Sequence, residues 1–397
     1  NDNKRAIELA QQSEQQPQSD DPYVRAIVAF GLAAASIAAQ DYERSLHWFK
    51  QSAQFAKTSN NMFLASEAMT NVGNSHYQIG DLYAAERACR QALRWLEDEP
   101  DYCGGPYWVL ARIHHDWGDF AAALDYSERS IILCRNQDNP RMEAYNLIIQ
   151  ARIAHDQARY DDSEHLLQRI EHVLKRESIP EMVTLVAIQR IINALDQRLI
   201  QQAHALFAMF DVSAPDQYGL CEYVRGKLAF TQRHYAVALH HWQTAHEFML
   251  KRPQIQNVIM LEIYQMKALS KLARHQQART TLADAIHHAE KGMIIRPFVR
   301  EAAIVLPLLR EHEPTDFVQR LIQECEAAHQ HETAVHLTSR EQEILRYLAI
   351  GLSNRDIADR LVIAESTLKR HISNLYLKLD VHSRTQALAR AAELSIF

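Results

Sequence analysis

A short turn pattern recurs along the first three hundred residues at an almost fixed spacing, and it constrains the fold more than any other feature. The strong copies are Gln40-Asp41-Tyr42-Glu43-Arg44-Ser45, Gly80-Asp81-Leu82-Tyr83-Ala84-Ala85, Gly118-Asp119-Phe120-Ala121-Ala122-Ala123, Ala158-Arg159-Tyr160-Asp161-Asp162-Ser163 and Arg233-His234-Tyr235-Ala236-Val237-Ala238. Weaker copies sit around Leu199 and Gln276. With the third residue of each copy as a marker, the intervals are 40, 38, 40, 39, 36 and 41 residues. Three positions past the marker, the residue is small in five of seven copies: Ser45, Ala85, Ala123, Ser163 and Ala238. A bulky residue anchors a helix start, and a small one a turn later lets a partner helix approach. Elsewhere in each unit the apolar residues fall at helical spacing, as at Leu124, Ser127, Ile131 and Cys134. One helix pair cannot bury both its faces, so such units stack on one another. The expected fold is all-α: an α-solenoid of about seven helix-pair repeats with a period of about 39 residues.

Composition agrees with long helices. Glycine and proline together number 21 in 397 residues, about 5% where roughly 12% is usual. That excludes collagen-like, linker-like and hairpin-dense β chains. The five cysteines, Cys89, Cys103, Cys134, Cys221 and Cys325, are scattered and form no C-x-x-C. They point to a reducing, cytoplasmic setting rather than to disulfides or a cysteine metal site. The most apolar stretch, Ala26 to Ala39, has 14 residues, short of the ~20 needed to span a membrane. The 21 histidines include His114-His115, His240-His241 and His287-His288, and they read as surface side chains, since adjacent helical positions cannot easily share one metal ion. Neither an H-E-x-x-H motif nor a G-x-x-x-x-G-K-[ST] phosphate loop occurs, and no nucleophile–base pair stands out, so an enzyme is not expected. The five tryptophans, Trp48, Trp95, Trp108, Trp117 and Trp242, read as packing between helices, with stacking on a ligand at a concave face as the alternative.

The last sixty residues differ in character. A helix is expected from about Asp316 to Ala328 after Pro314, and His329–Ala334 reads as a polar linker. Thr338 and Glu341 then form a capping-box pair ahead of an apolar periodic run. Ser353 and Asp356 repeat that arrangement. The spacing predicts helices over Ser339–Ile350, Asn354–Leu361, Glu365–Leu379 and Arg384–Leu394, with a tight turn at Val362–Ala364. Two short helices, a three-residue turn and a longer helix make a helix-turn-helix. On the longer helix Leu368, Ile372, Leu375 and Leu379 share one face, opposite Ser366, Lys369, Arg370 and Ser373. Small polar and basic groups with no acid among them suit a major groove. Residues 335–397 carry nine basic and seven acidic residues, whereas the rest of the chain carries 34 and 42. The domains are expected at 1–314 for the repeats, 315–336 for a connecting helix and linker, and 337–397 for the DNA-binding domain.

The C-terminal segment resembles the LuxR/GerE-type DNA-binding domain. The residues that carry the likeness are Leu337-Thr338-Ser339-Arg340-Glu341, Gly351-Leu352-Ser353-Asn354, Ile357-Ala358, Thr367-Leu368-Lys369, His371, Lys378-Leu379 and Ser383-Arg384-Thr385-Gln386-Ala387. The resemblance implies that the third helix enters the major groove of double-stranded DNA. By position Lys369, Arg370 and Ser373 would face bases, Ser366 and Thr367 would lie near the backbone, and Asn354 and Lys378 would neighbour phosphates. It also implies dimer contacts on the fourth helix, at Leu388 and Ala391. One departure is Ala364, where family members carry Ser or Thr at the helix N-cap. Loss of that cap costs about 1 kcal/mol, and Glu365 at the positive helix end offsets part of it.

Repeats followed by this domain resemble the carboxy-terminal half of the large MalT-like regulators. Such proteins carry an upstream ATP-binding module, and with no phosphate loop here this chain is expected to hold no cofactor. Beginning at Asn1 rather than Met, it is expected to be a piece of a longer protein. The resemblance implies a transcriptional regulator, an activator, whose repeats sense a small-molecule inducer and control self-association or DNA binding. The alternative is that the repeats bind a regulatory protein. RNA polymerase is a further implied partner.

Overall fold

A computed structural model describes residues 19–97, 104–209, 218–251, 254–333, 337–379 and 381–393. All regular structure among them is helical. The helices are α1 (Pro22–Ala38), α2 (Tyr42–Thr58), α3 (Met62–Gln78), α4 (Leu82–Arg94), α5 (Gly104–Asp116), α6 (Phe120–Asn136), α7 (Pro140–Asp156) and α8 (Tyr160–Leu174). They continue with α9 (Pro180–Asp196), α10 (Ile200–Ala208), α11 (Tyr218–Thr231), α12 (Tyr235–Leu250), α13 (Ile255–Lys271), α14 (His275–Glu290), α15 (Arg296–Val299) and α16 (Ala302–Leu309). The last five are α17 (Asp316–Thr333), α18 (Ser339–Ala349), α19 (Asn354–Leu361), α20 (Glu365–Lys378) and α21 (Arg384–Glu393). Internal contacts divide the chain into Asn1–Ile322 and Gln323–Phe397.

The repeat is built on one turn used over and over. Within each helix pair the chain leaves the first helix through a left-handed residue: Gln40, Gly80, Gly118, Ala158, Arg198, Arg233 or Ala273. Asn60, Asp138 and Met293 play the same part at turns between pairs. A single left-handed residue ends a helix by turning its next N–H groups back onto the last carbonyls. In the early repeats the next helix then opens on a capping side chain. Asp41, Asp81 and Asp119 accept from the backbone N–H of Arg44, Ala84 and Ala122. The second helices of the later pairs open on Arg159, Leu199, His234 and Arg274, which make no side-chain cap.

These helix starts correct the register read from sequence for the two weak copies. The fifth-pair reading at Leu199 moves to Ile200, and Gln276 moves to His275. The small residue three positions later is then present in all seven copies, because Ala203 and Ala278 join Ser45, Ala85, Ala123, Ser163 and Ala238. Every one of the seven is completely buried. Copies with a polar or non-aromatic anchor hid the register, whereas the small buried position holds it.

Close packing reaches its limit at Gly226, where a Cβ would lie 2.2 Å from Trp242 Nε1. Trp242 is itself core, and its indole N–H donates to the Tyr223 carbonyl at 3.1 Å. Trp48 and Trp95 pack against the cluster of Phe49, Ala53 and Val72. Trp108 packs beside Ala111 and Ile153. Trp117 has a different task, described next.

A plain solenoid touches only its neighbours in sequence. Here the pattern breaks after α14, and residues 291–300 cross the C-terminal ends of α3, α5 and α7 instead. Lys291 pairs with Asp81 at 3.2 Å. Trp117 donates its indole N–H to the Gly292 carbonyl at 2.8 Å, and the Ile295 N–H donates to the Asp116 carbonyl at 3.1 Å. Gln256, at the start of α13, donates to the Tyr77 carbonyl at 2.8 Å. Gly292 is required by this approach, since a Cβ there would sit 2.2 Å from the Gly80 carbonyl oxygen.

Asp156 is the anchor of the crossing. Its carboxylate is 2% exposed and lies 3.0 Å from Arg296 Nε, 3.4 Å from Arg300 Nε and 3.0 Å from His115 Nε2. His155 is nearly buried too, between Asn193 at 2.8 Å, Asp196 at 3.1 Å and Arg300 at 3.1 Å. Expecting surface histidines was therefore wrong for this group. His241, His246 and His288 likewise sit against the buried carboxylates Glu222 and Glu262. Each imidazole there is the partner that makes a buried carboxylate tolerable.

Past the repeats, α17 runs without a break to Thr333, so the segment expected as linker from His329 is helical through that residue. The stretch is polar but contains no glycine or proline to stop a helix. Ala334 lies outside the described residues.

Candidate nucleic-acid interface

The C-terminal unit is organised to present one helix. Both capping boxes form. The Glu341 N–H donates to Thr338 Oγ1 at 3.2 Å and the Thr338 N–H to Glu341 Oε2 at 2.8 Å. Ser353 and Asp356 reciprocate in the same way at the start of α19. Two arginines close helix ends. Arg340 donates to the Leu361 carbonyl at 2.7 Å, and Arg384 donates to the Leu352 and Leu348 carbonyls at 2.8 and 2.7 Å. The turn into α20 passes through Val362, left-handed at φ 53° and fully exposed. A β-branched residue is strained in that region.

α20 begins at Glu365 as expected, and its N-cap Ala364 makes no side-chain cap. Leu368, Ile372, Leu375 and Leu379 are all buried, packed on Ile344, Leu348, Ile357 and Leu361. That fixes which face remains open. Ser366, Lys369, Arg370 and Ser373 are exposed and Thr367 is half-buried. The five groups expected to face DNA therefore lie on or beside one solvent-facing side of one rigidly seated helix. That side is not free of acid, contrary to the sequence reading. Glu365 stands one turn before Lys369 and pairs with it at 3.0 Å. Such an exposed pair is worth only about 0.3–0.5 kcal/mol, little enough for a phosphate or base edge to displace.

Two expected positions turn out differently. Lys378 is bound to Glu341 at 2.6 Å, and that carboxylate is 6% exposed. The ammonium thus ties the end of α20 to the start of α18, with its side chain 25% exposed. Ala391 is completely buried in the domain's own core beside Ala387. It cannot contact a second copy, because the helical period of α21 turns it inward. Leu388 is half-buried against the same core, and the exposed positions of α21 are Thr385, Gln386, Ala389, Arg390 and Ala392. Asn354 is the first residue of α19 and half-exposed, next to the backbone N–H groups that open that helix.

Comparison with known proteins agrees with both units. Residues 1–315 match the family model of the MalT-like TPR region, and residues 335–391 match that of the bacterial regulatory proteins of the luxR family. The chain belongs to the MalT-like TPR family and ends in a LuxR-family domain. Among curated proteins it is similar to the transcriptional regulatory protein LiaR of Bacillus subtilis, 38% identical over 31% of this chain and 51% of that protein. It is 53% identical to the CsgBAC operon transcriptional regulatory protein of Escherichia coli, over 14% of this chain and 26% of that one. A nitrate/nitrite response regulator protein homolog of Haemophilus influenzae is 45% identical over 18% and 34%. The chain thus spans about a quarter to a half of the length of these relatives. Arg340 and Arg384, two of the residues that carry the LuxR likeness in sequence, hold backbone carbonyls. Among the described residues no helix is long and apolar enough to cross a membrane.

Proposed function

We propose that the chain is a sequence-specific DNA-binding transcriptional activator whose repeats sense a small-molecule inducer. The inducer controls self-association or DNA binding in the cytoplasm, and the DNA-bound form engages RNA polymerase. The observation that carries the DNA-binding part is the outward face of α20, which holds Ser366, Lys369, Arg370 and Ser373 above a buried apolar face. Lys369 and Arg370 reach base edges, Ser366 and Thr367 the backbone, and Asn354 a phosphate at the start of α19. A second copy on DNA would meet α21 at Leu388 and at the exposed Thr385, Ala389 and Ala392.

The test selects duplexes from a random library with the full chain and then measures Kd for the winner. Lys369→Ala and Arg370→Ala are each expected to lose about 1–3 kcal/mol and to relax base preference at one position. Affinity should also fall steeply with salt as counterions released from phosphates are charged against binding. Unchanged affinity and preference in both variants would sink the assignment of α20.

A protein partner on the repeats is the second reading. It is favoured by the apolar side of α1, where Tyr23, Val24, Ile27 and Val28 are 38–47% exposed. Scattered apolar residues are ordinary on a surface, whereas four on one helix face form a patch.

A further inference from the structure

The first helices of four pairs carry a cation in one register, interrupted at α9, where buried Ile192 holds the equivalent position. Arg112, Arg152, Lys227 and Lys267 each stand four residues before the last residue of α5, α7, α11 and α13. Stacked helices bring equivalent positions side by side, so Arg112 neighbours Arg152 and Lys227 neighbours Lys267, two halves of a ladder with Ile192 of α9 between them. Asn74, at the same position of α3, extends it by accepting from Arg112 at 2.9 Å.

The partners of these cations are uneven. Lys227 has Asp196 at 3.2 Å and Lys267 has Glu301 at 2.6 Å. Arg112 lies over the Tyr77 and Trp108 rings at 3.8 and 4.6 Å with no carboxylate among the described residues. Arg152 has neither a carboxylate nor a hydrogen-bond acceptor among them. The acids that could have served are already engaged. Asp116 accepts from the Tyr77 hydroxyl at 2.6 Å, Asp156 holds Arg296 and Arg300, and Asp196 holds Lys227 and His155.

Arg152 is exposed to water, yet burial among surrounding protein, with Arg112 and Arg300 adding repulsion, pulls its guanidinium below the ordinary value. A side chain that water reaches while protein surrounds it lines a recess. One turn before Lys227 on the same ladder, the Tyr223 hydroxyl is buried without a hydrogen-bond partner, its ring 5.6 Å from that of Tyr264. Buried hydroxyls are ordinarily bonded. An unpaired hydroxyl and an unpaired guanidinium on one aromatic-lined face both ask for the same thing, a ligand that supplies acceptors.

We propose that Arg152, assisted by Arg112, binds the anionic group of a small organic acid, a carboxylate or a phosphate ester, whose second polar group reaches Tyr223. This rests on the reading of the repeats as a small-molecule sensor and names the chemical class sensed. Arginine suits the task, because its planar fork matches carboxylate and phosphate oxygens in pairs. The aromatic rings of Tyr77, Trp108 and Tyr264 flank the carbon skeleton.

The experiment is a thermal-shift titration of the full chain and of Arg152→Gln and Tyr223→Phe, at constant ionic strength set with sodium chloride. The probes are inorganic phosphate, benzoate, citrate and glucose 6-phosphate, beside the neutral sugars glucose and maltose. The expected result is a saturable rise in melting temperature with at least one anion, weakened tenfold or more by Arg152→Gln and about threefold by Tyr223→Phe. A response to phosphate alone means that the anionic group suffices. A response to benzoate or citrate but not to the phosphates assigns a carboxylate, and the reverse assigns a phosphate ester. If the anions shift the parent and Arg152→Gln equally, the proposal is overturned. If only a neutral sugar binds, and equally to both, the sensor reading stands while the anion class falls. If no probe of either class binds the parent, both are rejected.

Discussion

Replacing Asp156 with asparagine tests whether the crossing of residues 291–300 over the repeats is a real source of stability. The carboxylate is 2% exposed and engages Arg296, Arg300 and His115, whose side chains are 11%, 26% and 17% exposed. Hydrogen bonds to charged groups are worth about 1.5–3 kcal/mol each, which sets an upper bound of about 5–9 kcal/mol for three. The amide keeps one acceptor oxygen, and water can reach part of Arg300, so the loss is smaller. Removing one partner of a buried ion pair costs about 3–5 kcal/mol, and Asp156→Asn should fall in that range. The assay is urea unfolding of the full chain followed by tryptophan fluorescence, since Trp117 reports on the crossing through its bond to Gly292. A double-mutant cycle with Arg296→Met should show a coupling of about 1 kcal/mol or more. A loss below about 1 kcal/mol, or strict additivity with Arg296→Met, would refute the argument that this segment is clasped by Asp156.

The pH dependence carries the same signature. Burial alone would raise the Asp156 carboxyl, but Arg300 and Arg296, with His115, hold it well below the ordinary value. Its contribution is therefore complete above the unfolded carboxyl value of about 3.9 and is lost as pH falls through the lower folded one. For His115 burial pushes the imidazole down, and hydrogen bonds to Asp116 and Asp156 outweigh it, so the net shift is upward. Its contribution is complete below about pH 6.5 and is lost as pH rises through the folded value. In Asp156→Asn both slopes should flatten, the acid one because the group is gone and the alkaline one because His115 has lost an acceptor.

Two smaller changes probe the two units separately. Gly226→Ala places a Cβ 2.2 Å from the buried Trp242 indole, and overpacking of this kind costs about 1–3 kcal/mol, read as a lowered urea midpoint of the full chain; an unchanged midpoint would mean the helices of that pair can part freely. Ala364→Ser supplies the side-chain cap that α20 lacks and should slow amide exchange in α20 by about 1 kcal/mol of protection, a gain absent if Glu365 already satisfies the helix start.

How much of this was legible beforehand depends on whether a feature is local. The helix boundaries of the C-terminal unit came directly from sequence because caps, glycine stops and apolar period all agree within a few residues. The boundaries of α19 and the start of α20 match to the residue. The repeat was legible through its turns, but its weak copies were read one residue out of step. Ile200 and His275 are poor markers beside tyrosine or leucine, whereas Ala203 and Ala278, three residues on, follow the rule fully. The crossing was invisible. It joins residues about 175 apart, as in the bond from Trp117 to Gly292, and nothing in either segment's spacing announces the other. Lys378 and Ala391 show the same limit on a smaller scale. Each was assigned by position in a motif, and each meets a partner on another helix that the motif does not show, the Glu341 carboxylate for the partly exposed lysine and the core beneath α21 for the buried alanine.

The buried charges of the repeats follow from that closure. An open stack could leave Asp116, Asp156 and Asp196, the last residues of α5, α7 and α9, to water. Laying residues 291–300 across the ends of α5 and α7 leaves the Asp116 and Asp156 side chains 12% and 2% exposed, whereas Asp196 stays 34% exposed. The first two carboxylates must therefore each acquire a partner or cost several kcal/mol. The chain supplies Tyr77 for Asp116, Arg296 and Arg300 for Asp156, and Lys227 with His155 for Asp196. Arg152 is left over once these acids are engaged. A leftover cation in a recess raises the energy of the unliganded state and leaves that of an anion-bound state lower by contrast. A ligand moves an equilibrium only through such a difference between states. The same closure that stabilises the repeats therefore leaves Arg112 and Arg152 without a carboxylate partner among the described residues, and under the proposed anion site these are the residues through which a signal would act.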